Sequence, residues 1–445
     1  MRNPEVTKRL SDEGSEAVAS TPEEYRDLIP AGNGKVEEGR RGRGNPADLM
    51  APSFAGVTHE EAVARARNLV PRLRERAAQA EIDRALSPES LRELNASGVM
   101  RALQPKRWGG MELEFITYFD VTMELARGCA STAWNVSQVL MHHWLLAMYD
   151  ERTQQEVWSQ DPEAVIATGI AFPQGQGRKI DGGYVISGRW NFSSCVNMSD
   201  WNMLAATVRD GERIVDHRLC LLHKSQYEVV DDWQVLGMRA TRSMSVSAKD
   251  VFVPERKTLS MYETRGGDGF PGAGTNPHPV FRVPVLTLGG HGVVACAVGN
   301  AQAALDHMIA SVKERSTNYT GMKMRDFQTV QLRIGEAGAK IDTARLLMRN
   351  DCIEGQETAN RNLIADRQTK LRYKRNAAFA AGLCNQAVDT LHAMAGANGI
   401  YQAFPLERIF RDAHALTGHV TCHFDTHVSA WGLVALGGEI NNPTL

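Results

Sequence analysis

At 445 residues the chain exceeds what one hydrophobic core organises, so two or three domains are expected. Apolar residues make up 43% and the formal net charge is −2, values of a globular protein that give no sign of a nucleic-acid or membrane partner. The seven cysteines are odd in number and form no CxxC pair, which argues against a disulfide framework or a zinc ribbon.

Residues 1–55 are charged and rich in Gly and Pro, with Gly39-Arg40-Arg41-Gly42-Arg43-Gly44 at the extreme, and are expected to form a flexible extension. They begin without the apolar core of a secretory leader, and no apolar run is expected to reach the length that crosses a bilayer. With the cysteine pattern, this points to a reducing, cytoplasmic compartment. Thr58-His59-Glu60-Glu61 is a capping box, and apolar residues from Ala62 to Ala77 recur at helical spacing. Ser87-Pro88 starts a second helix and Gly98 ends it. Leu113–Ala126 reads as a helix, and Ala130–Met148 as a mostly apolar one carrying His142, His143 and Trp144. Residues 56–163 are therefore expected to be a helical domain. From Ala164 the texture changes to short β-rich runs separated by turns such as Asp181-Gly182-Gly183 and Asp210-Gly211. No crossover helices separate them, so residues 164–284 predict an antiparallel sheet closed into a small barrel. Helical periodicity then returns. Phe327, Val330, Ile334, Ala337, Ile341, Ala344 and Met348 form the seam of a long helix, so residues 285–445 predict a four-helix bundle. The fold class is α+β, mostly α.

The last sixty residues concentrate the chemistry. Arg408 and Arg411 lie three apart and share a helix face, Asp412 can pair with Arg408, and His419 follows beside Gly418. Such a cluster suits holding an anion and exchanging a proton near neutral pH, and it equally reads as a salt-bridged helix end. His423 and His427 lack an HExxH context, so no metal is expected. Gly175-Gln176-Gly177 lacks the third glycine of a dinucleotide fingerprint and leads into a strand, which argues against direct hydride transfer from NAD(P)H.

In this order of elements, four motifs resemble the acyl-CoA dehydrogenase fold between residues 60 and 437. Gly182 to Ser194, including Trp190-Asn191-Phe192-Ser193-Ser194, resembles the strand pair that lays flavin against the barrel. Leu236-Gly237-Met238-Arg239-Ala240-Thr241-Arg242-Ser243 is similar to the next barrel signature. Arg315 and Phe327-Gln328-Thr329-Val330-Gln331 resemble the segment that reaches flavin or its phosphate across a subunit interface. A dehydrogenase places a glutamate after the Arg-Asp pair, whereas Arg411-Asp412 is followed by Ala413-His414-Ala415-Leu416-Thr417-Gly418-His419. That departure, with Cys129-Ala130-Ser131-Thr132-Ala133-Trp134 and His142-His143-Trp144, resembles the oxygenase components of two-component flavin monooxygenases: p-hydroxyphenylacetate hydroxylase, the secosteroid phenol hydroxylases and dibenzothiophene monooxygenase.

The resemblance implies oxygenation of an aromatic, phenolic substrate through a C4a-hydroperoxyflavin. Molecular oxygen and diffusible reduced FMN or FAD would be needed, the flavin coming from a separate NAD(P)H:flavin reductase, and the assembly would be a homotetramer. By the same resemblance His142 contacts the phenol, with Thr168 and Trp144 on the substrate side. Ser193 hydrogen-bonds flavin N5, and His419 lies beside flavin and substrate oxygen. Trp190, Thr168, Arg239, Arg315, Gln331 and Arg411 are candidate flavin contacts, and Asp412 joins the catalytic set. Cys195 stands where relatives often carry glycine. A phenol with a pKa near 10 needs a base poised near neutrality, so either His142 or His419 is the base, the other hydrogen-bonding the peroxide. Structural alternatives stand beside these roles: His142 as a satisfied core histidine, Ser193 as a turn residue and Trp190 as core. N- or S-oxygenation, acyl-CoA oxidation and non-catalytic flavin binding are the rival functions.

Overall fold

The computed structural model describes residues 52–317 and 320–440, so the expected N-terminal extension lies, up to residue 51, outside the described residues. Helix α1 (His59–Asp83) starts at the capping box: Glu61 N–H donates to the Thr58 hydroxyl at 3.2 Å, and Thr58 N–H to the Glu61 carboxylate at 3.0 Å. Helix α2 (Pro88–Ser97) is capped by Ser87 and ends at Gly98, whose φ of 74° favours a residue without Cβ. Helices α3 (Ile116–Ala126), α4 (Ala130–Leu146) and α5 (Glu151–Trp158) complete the first helical block, with every residue of α3 buried.

Eight strands follow: β1 (Ile166–Gly169), β2 (Gly175–Ile180), β3 (Gly183–Ser193), β4 (Trp201–Asp210), β5 (Arg213–His223), β6 (Glu228–Val230), β7 (Met244–Pro254) and β8 (Thr258–Ser260). Their order is β6-β7-β3-β2-β4-β5-β8, with β1 attached to β4. The expected antiparallel barrel is corrected here. Strands β1 and β2 both pair with β4 in parallel, and the path runs between edges β6 and β8 without closing on itself. The reason is that β3 serves as the crossover between β2 and β4, so a parallel pair arises with no helix between its strands.

The last block holds α6 (Val285–Leu288), α7 (His291–Glu314), α8 (Gln328–Asn360), α9 (Arg367–Ala395), α10 (Pro405–Leu416) and α11 (Phe424–Ala435). Ala337, Ile341, Ala344 and Met348 of the expected α8 seam are buried. Val285–Glu314 is long and apolar enough by composition to cross a bilayer, contrary to expectation, but most of it is buried as the central helix, touching α3, α4, α8, α9 and α10. One continuous core joins residues of both helical blocks to Met203 and Leu219 of the sheet. A second core, with Trp190, Leu204 and Val246, fills the sheet interior. All seven cysteines are buried and unpaired.

Candidate active site

Helix α4 packs against β1 and against the turn Arg239–Thr241, and it presents Asn135 and His142, two turns apart, on one face. The His142 ring is buried and its Nδ1–H donates to the Ile166 carbonyl, so the neutral imidazole carries its proton on Nδ1 and leaves Nε2 as a bare acceptor. That Nε2 has no partner among the described residues. Desolvation lowers the His142 pKa to about 4, which keeps the ring neutral at physiological pH. Asn135 donates to the Ala240 carbonyl at 3.2 Å while its Oδ1 is unpartnered. Asn202 donates to Ser193 Oγ at 2.9 Å, and its Oδ1 is also unpartnered. Native interiors leave few such atoms unmatched.

Directly before Asn135 on α4, the Trp134 indole N–H donates to Ser194 Oγ at 2.9 Å, and its ring meets His419 edge-on at 5.6 Å. Ser194 continues to Ser243 at 2.7 Å and on to Thr241 at 2.8 Å. Thr168 bridges Ser194 through the backbone. His419 Nδ1 accepts from Thr421 N–H at 3.2 Å, so its neutral ring carries the proton on Nε2. Burial lowers its pKa to about 4. The two histidines are thus neutral with opposite polarity, His142 offering a lone pair and His419 an N–H.

The backbone here is strained. Of eight non-glycine residues with positive φ among the described residues, four flank this seam: Phe192, Cys195, Met238 and Arg242. Such conformations persist where surrounding structure enforces them, often at functional sites. Cys195, at φ 67°, occupies a left-handed position that glycine takes without strain. Phe192 is 67% exposed beside buried Ser193.

Other residues expected at the site are committed elsewhere. All three nitrogens of the Arg411 guanidinium are engaged, with Glu81, Glu407 and, at 2.9 Å, the Leu236 carbonyl, and these carboxylates raise its pKa. Asp412 is buried and makes no ion pair with Arg408. Its Oδ1 accepts from Met238 N–H at 2.6 Å, and desolvation raises its pKa to about 6. Gly237 packs so closely that a Cβ would lie 2.4 Å from the Arg411 carbonyl. Arg239 donates to Val235 O at 2.9 Å. Arg411, Asp412 and Arg239 therefore hold the 235–243 loop in place. Trp144 donates to the Val280 carbonyl at 2.8 Å and packs on Phe115, within the helical core and away from the polar seam. Trp190 is in the sheet interior, its N–H taken by Ala205 O at 2.7 Å. Arg315 ends α7, and Gln331 bonds the Arg325 carbonyl at 3.0 Å in the first turn of α8; neither is in the α4 seam.

Residues 58–161 match the acyl-CoA dehydrogenase N-terminal domain, and residues 291–424 match the acyl-CoA dehydrogenase C-terminal domain. The flavin-dependent monooxygenase oxygenase subunit HsaA of Mycobacterium tuberculosis (strain ATCC 25618 / H37Rv) is 35% identical over 350 residues, spanning 78% of this chain and 88% of the relative. The chain belongs to the flavin-dependent monooxygenase oxygenase components of acyl-CoA dehydrogenase fold. The oxygenase component of FADH(2)-dependent resorcinol hydroxylase from Rhizobium sp. (strain MTP-10005) is 30% identical over 395 residues, 86% of this chain and 95% of that one. The crystal structure of 3-HSA hydroxylase from Rhodococcus sp. RHA1 superposes with a TM-score of 0.83 at 30% identity, covering 87% of this chain and all of the other.

The seam of this oxygenase fits a flavin ring system. Asn135 Oδ1 and Asn202 Oδ1 are buried acceptors without donors, Ser193 keeps its hydroxyl proton free after accepting from Asn202, and His142 Nε2 is left over for a second ligand. A reduced isoalloxazine presents ring N–H groups and carbonyls that can complement such a set. Among the described residues, no carboxylate bonds to His142, Trp134, Ser194 or His419.

Proposed function

We propose that this oxygenase hydroxylates a phenolic substrate, using molecular oxygen and reduced FMN or FAD supplied by a separate NAD(P)H:flavin reductase. The observation that carries this reading is the opposite polarity of His142 and His419. Bound reduced flavin supplies the two electrons that divide dioxygen between the aromatic ring and water. His142 Nε2 accepts the phenol proton as electron density moves into the ring. The phenolate so formed favours imidazolium beside it, which raises the low pKa that burial alone imposes on His142. His419 donates Nε2–H toward the transferring oxygen. Ser193 holds the proton at flavin N5, which prevents loss of the oxidising equivalent as hydrogen peroxide. Thr168, beside Ser194, lines the substrate side. Trp134 and the Ser194-Ser243-Thr241 chain fix these groups in a water-poor seam.

We place Arg315 and Gln331 as flavin contacts across a subunit interface in a cytoplasmic homotetramer. Supporting assembly, Leu332, Leu346 and Ile353 of α8 are exposed, and α11 has no buried residue although it carries Phe424 and Leu433. Residues 56–163, 164–284 and 285–445 are taken as its three lobes. The deciding experiment supplies reduced flavin, oxygen and a panel of phenols to the purified protein. A catechol or hydroquinone product is expected. Oxidation of acyl-CoA with a dye acceptor under anaerobic conditions, and no product from any phenol, would overturn the reading.

A further inference from the structure

A cavity of about 140 Å³ opens at the N-terminus of α4, lined by the ends of α3 and α4 and by residues of α7 and α10. It is set apart from His142, which lies thirteen residues along α4, roughly 20 Å at the helical rise. We propose that this cavity binds a small oxyanion, a carboxylate or a phosphate.

Its wall carries two guanidiniums, Arg408 and Arg74, with no carboxylate bonded to them among the described residues. Arg408, half-buried, has no hydrogen bond or ion pair among the described residues, although the sequence suggested Asp412 as its partner. Arg74 at the rim bonds only the Arg127 carbonyl, at 3.2 Å, so its charge meets no carboxylate. Arg127, already paired with Glu124 and Asp306, keeps a buried Nε–H without an acceptor, and His307 Nε2 is also unpartnered in a ring that burial holds toward its neutral form. The two carboxylates of the wall are already held: Asp306 by Arg127 and Gln302, both at 2.8 Å, and Asp412 by Met238 N–H. Helix α4 begins here after Cys129 with no side-chain cap; α10 also begins here, but Pro405 has no N–H and the Glu407 N–H bonds the Phe404 carbonyl at 3.0 Å, so the free amides are those of α4. Uncapped first turns leave N–H groups and a partial positive charge for an anion, and they add to the guanidinium of Arg408. A carboxylate or phosphate that accepts from Arg408 and from the α4 amides supplies the partners this wall lacks.

The test uses the full chain without flavin, titrated with inorganic phosphate, acetate or succinate at constant ionic strength made up with chloride. Calorimetry and the melting temperature are followed. Saturable binding with a rise in Tm is expected, and the preferred anion separates phosphate from carboxylate ligands. Arg408→Gln should weaken binding by roughly tenfold or more, the worth of a charge-assisted hydrogen bond. Ala310→Glu, a surface change that adds a carboxylate at the cavity, should also weaken it and guards against misfolding of the first variant. Arg333→Gln, exposed on α8, should bind as the parent does. No saturable binding, or undiminished binding by Arg408→Gln and Ala310→Glu, would overturn the site. So would displacement of the anion by FMN but not by riboflavin, which would make the cavity the cofactor's own phosphate pocket. Because flavin is absent from the titration, failure here leaves the oxygenase reading untouched.

Discussion

The Arg411-Asp412 pair of α10 and the Asn135 and His142 pair of α4 carry comparable polar equipment, and the structure treats the two pairs in opposite ways. On α10, Arg411 is saturated by two glutamates and a carbonyl, and Asp412 by a backbone amide. On α4, Asn135 and His142 each spend one atom on a backbone group and leave the other bare inside the protein. Both helices position the same loop, α10 from outside through Met238 and α4 from inside through Ala240. The contrast suggests that residue type marks a polar cluster, whereas unmet hydrogen-bonding capacity distinguishes a ligand site from a structural clamp.

The sharpest way to break this contrast is to exchange the effects. His142→Ala should lower product formation by about a hundred- to ten-thousand-fold, the usual worth of a general base, while flavin affinity stays within a few-fold. His419→Ala should likewise suppress product and divert oxygen to hydrogen peroxide. Chromatographic product yield and peroxide release measure both. Equal product yield from either variant would remove that histidine from the chemistry. Arg411→Met should act on stability instead. It strands Glu407 and leaves Glu81 only the longer ion pair with Arg239 at 3.8 Å; both carboxylates are under one-fifth exposed, and a broken pair of that kind costs about 3 kcal/mol, read as a lower urea midpoint at unchanged slope. A stable Arg411→Met protein with lost flavin binding would return Arg411 to the cofactor site.

Local signals in the sequence were the legible ones. The capping box at Thr58, the Ser87 cap, the Gly98 stop and the α8 seam each depend on residues within a few turns of one another. Sheet pairing was less legible, because β3 acts as a crossover by lying beyond β2, a non-local choice that no spacing encodes. The site divides in the same way. His142, Ser193 and His419 carry distinctive motifs. Trp134 closes a quoted motif without a role assigned to it, and Asn135 and Asn202 do not stand out by type; their importance comes from what surrounds them. The pairing of Arg411 with Glu81 was not legible, because Glu81 lies 330 residues earlier in the chain.

Acid titration gives a smaller, distributed test of the α4 region. His142 and His143 are both buried, with pKa values lowered by desolvation to about 4 and about 3, against about 6.5 in the unfolded chain. Between those limits the unfolded state binds more protons, so stability falls as pH drops below about 6.5 and levels off near the folded values. From pH 7 to 5 each ring should cost roughly 2 kcal/mol. Urea midpoints across this range should fall for the parent and fall less for His143→Asn. A parent curve with no slope would mean that these rings are solvated.

The mildest change probes the seam without touching either proton-transfer group. Trp134→Phe removes the indole N–H but keeps an aromatic face toward His419. Ser194 loses one donor yet retains Ser243, so stability should drop by only about 1 kcal/mol. The ring edge that fixes His419 would loosen, however, and the donor that must meet the transferring oxygen would be less well aimed. Peroxide release per reduced flavin should rise while substrate affinity, set near His142, is unchanged. If product and peroxide keep the parent's ratio in Trp134→Phe, His419 is held by Thr421 alone, and the α4 seam has no part in directing oxygen.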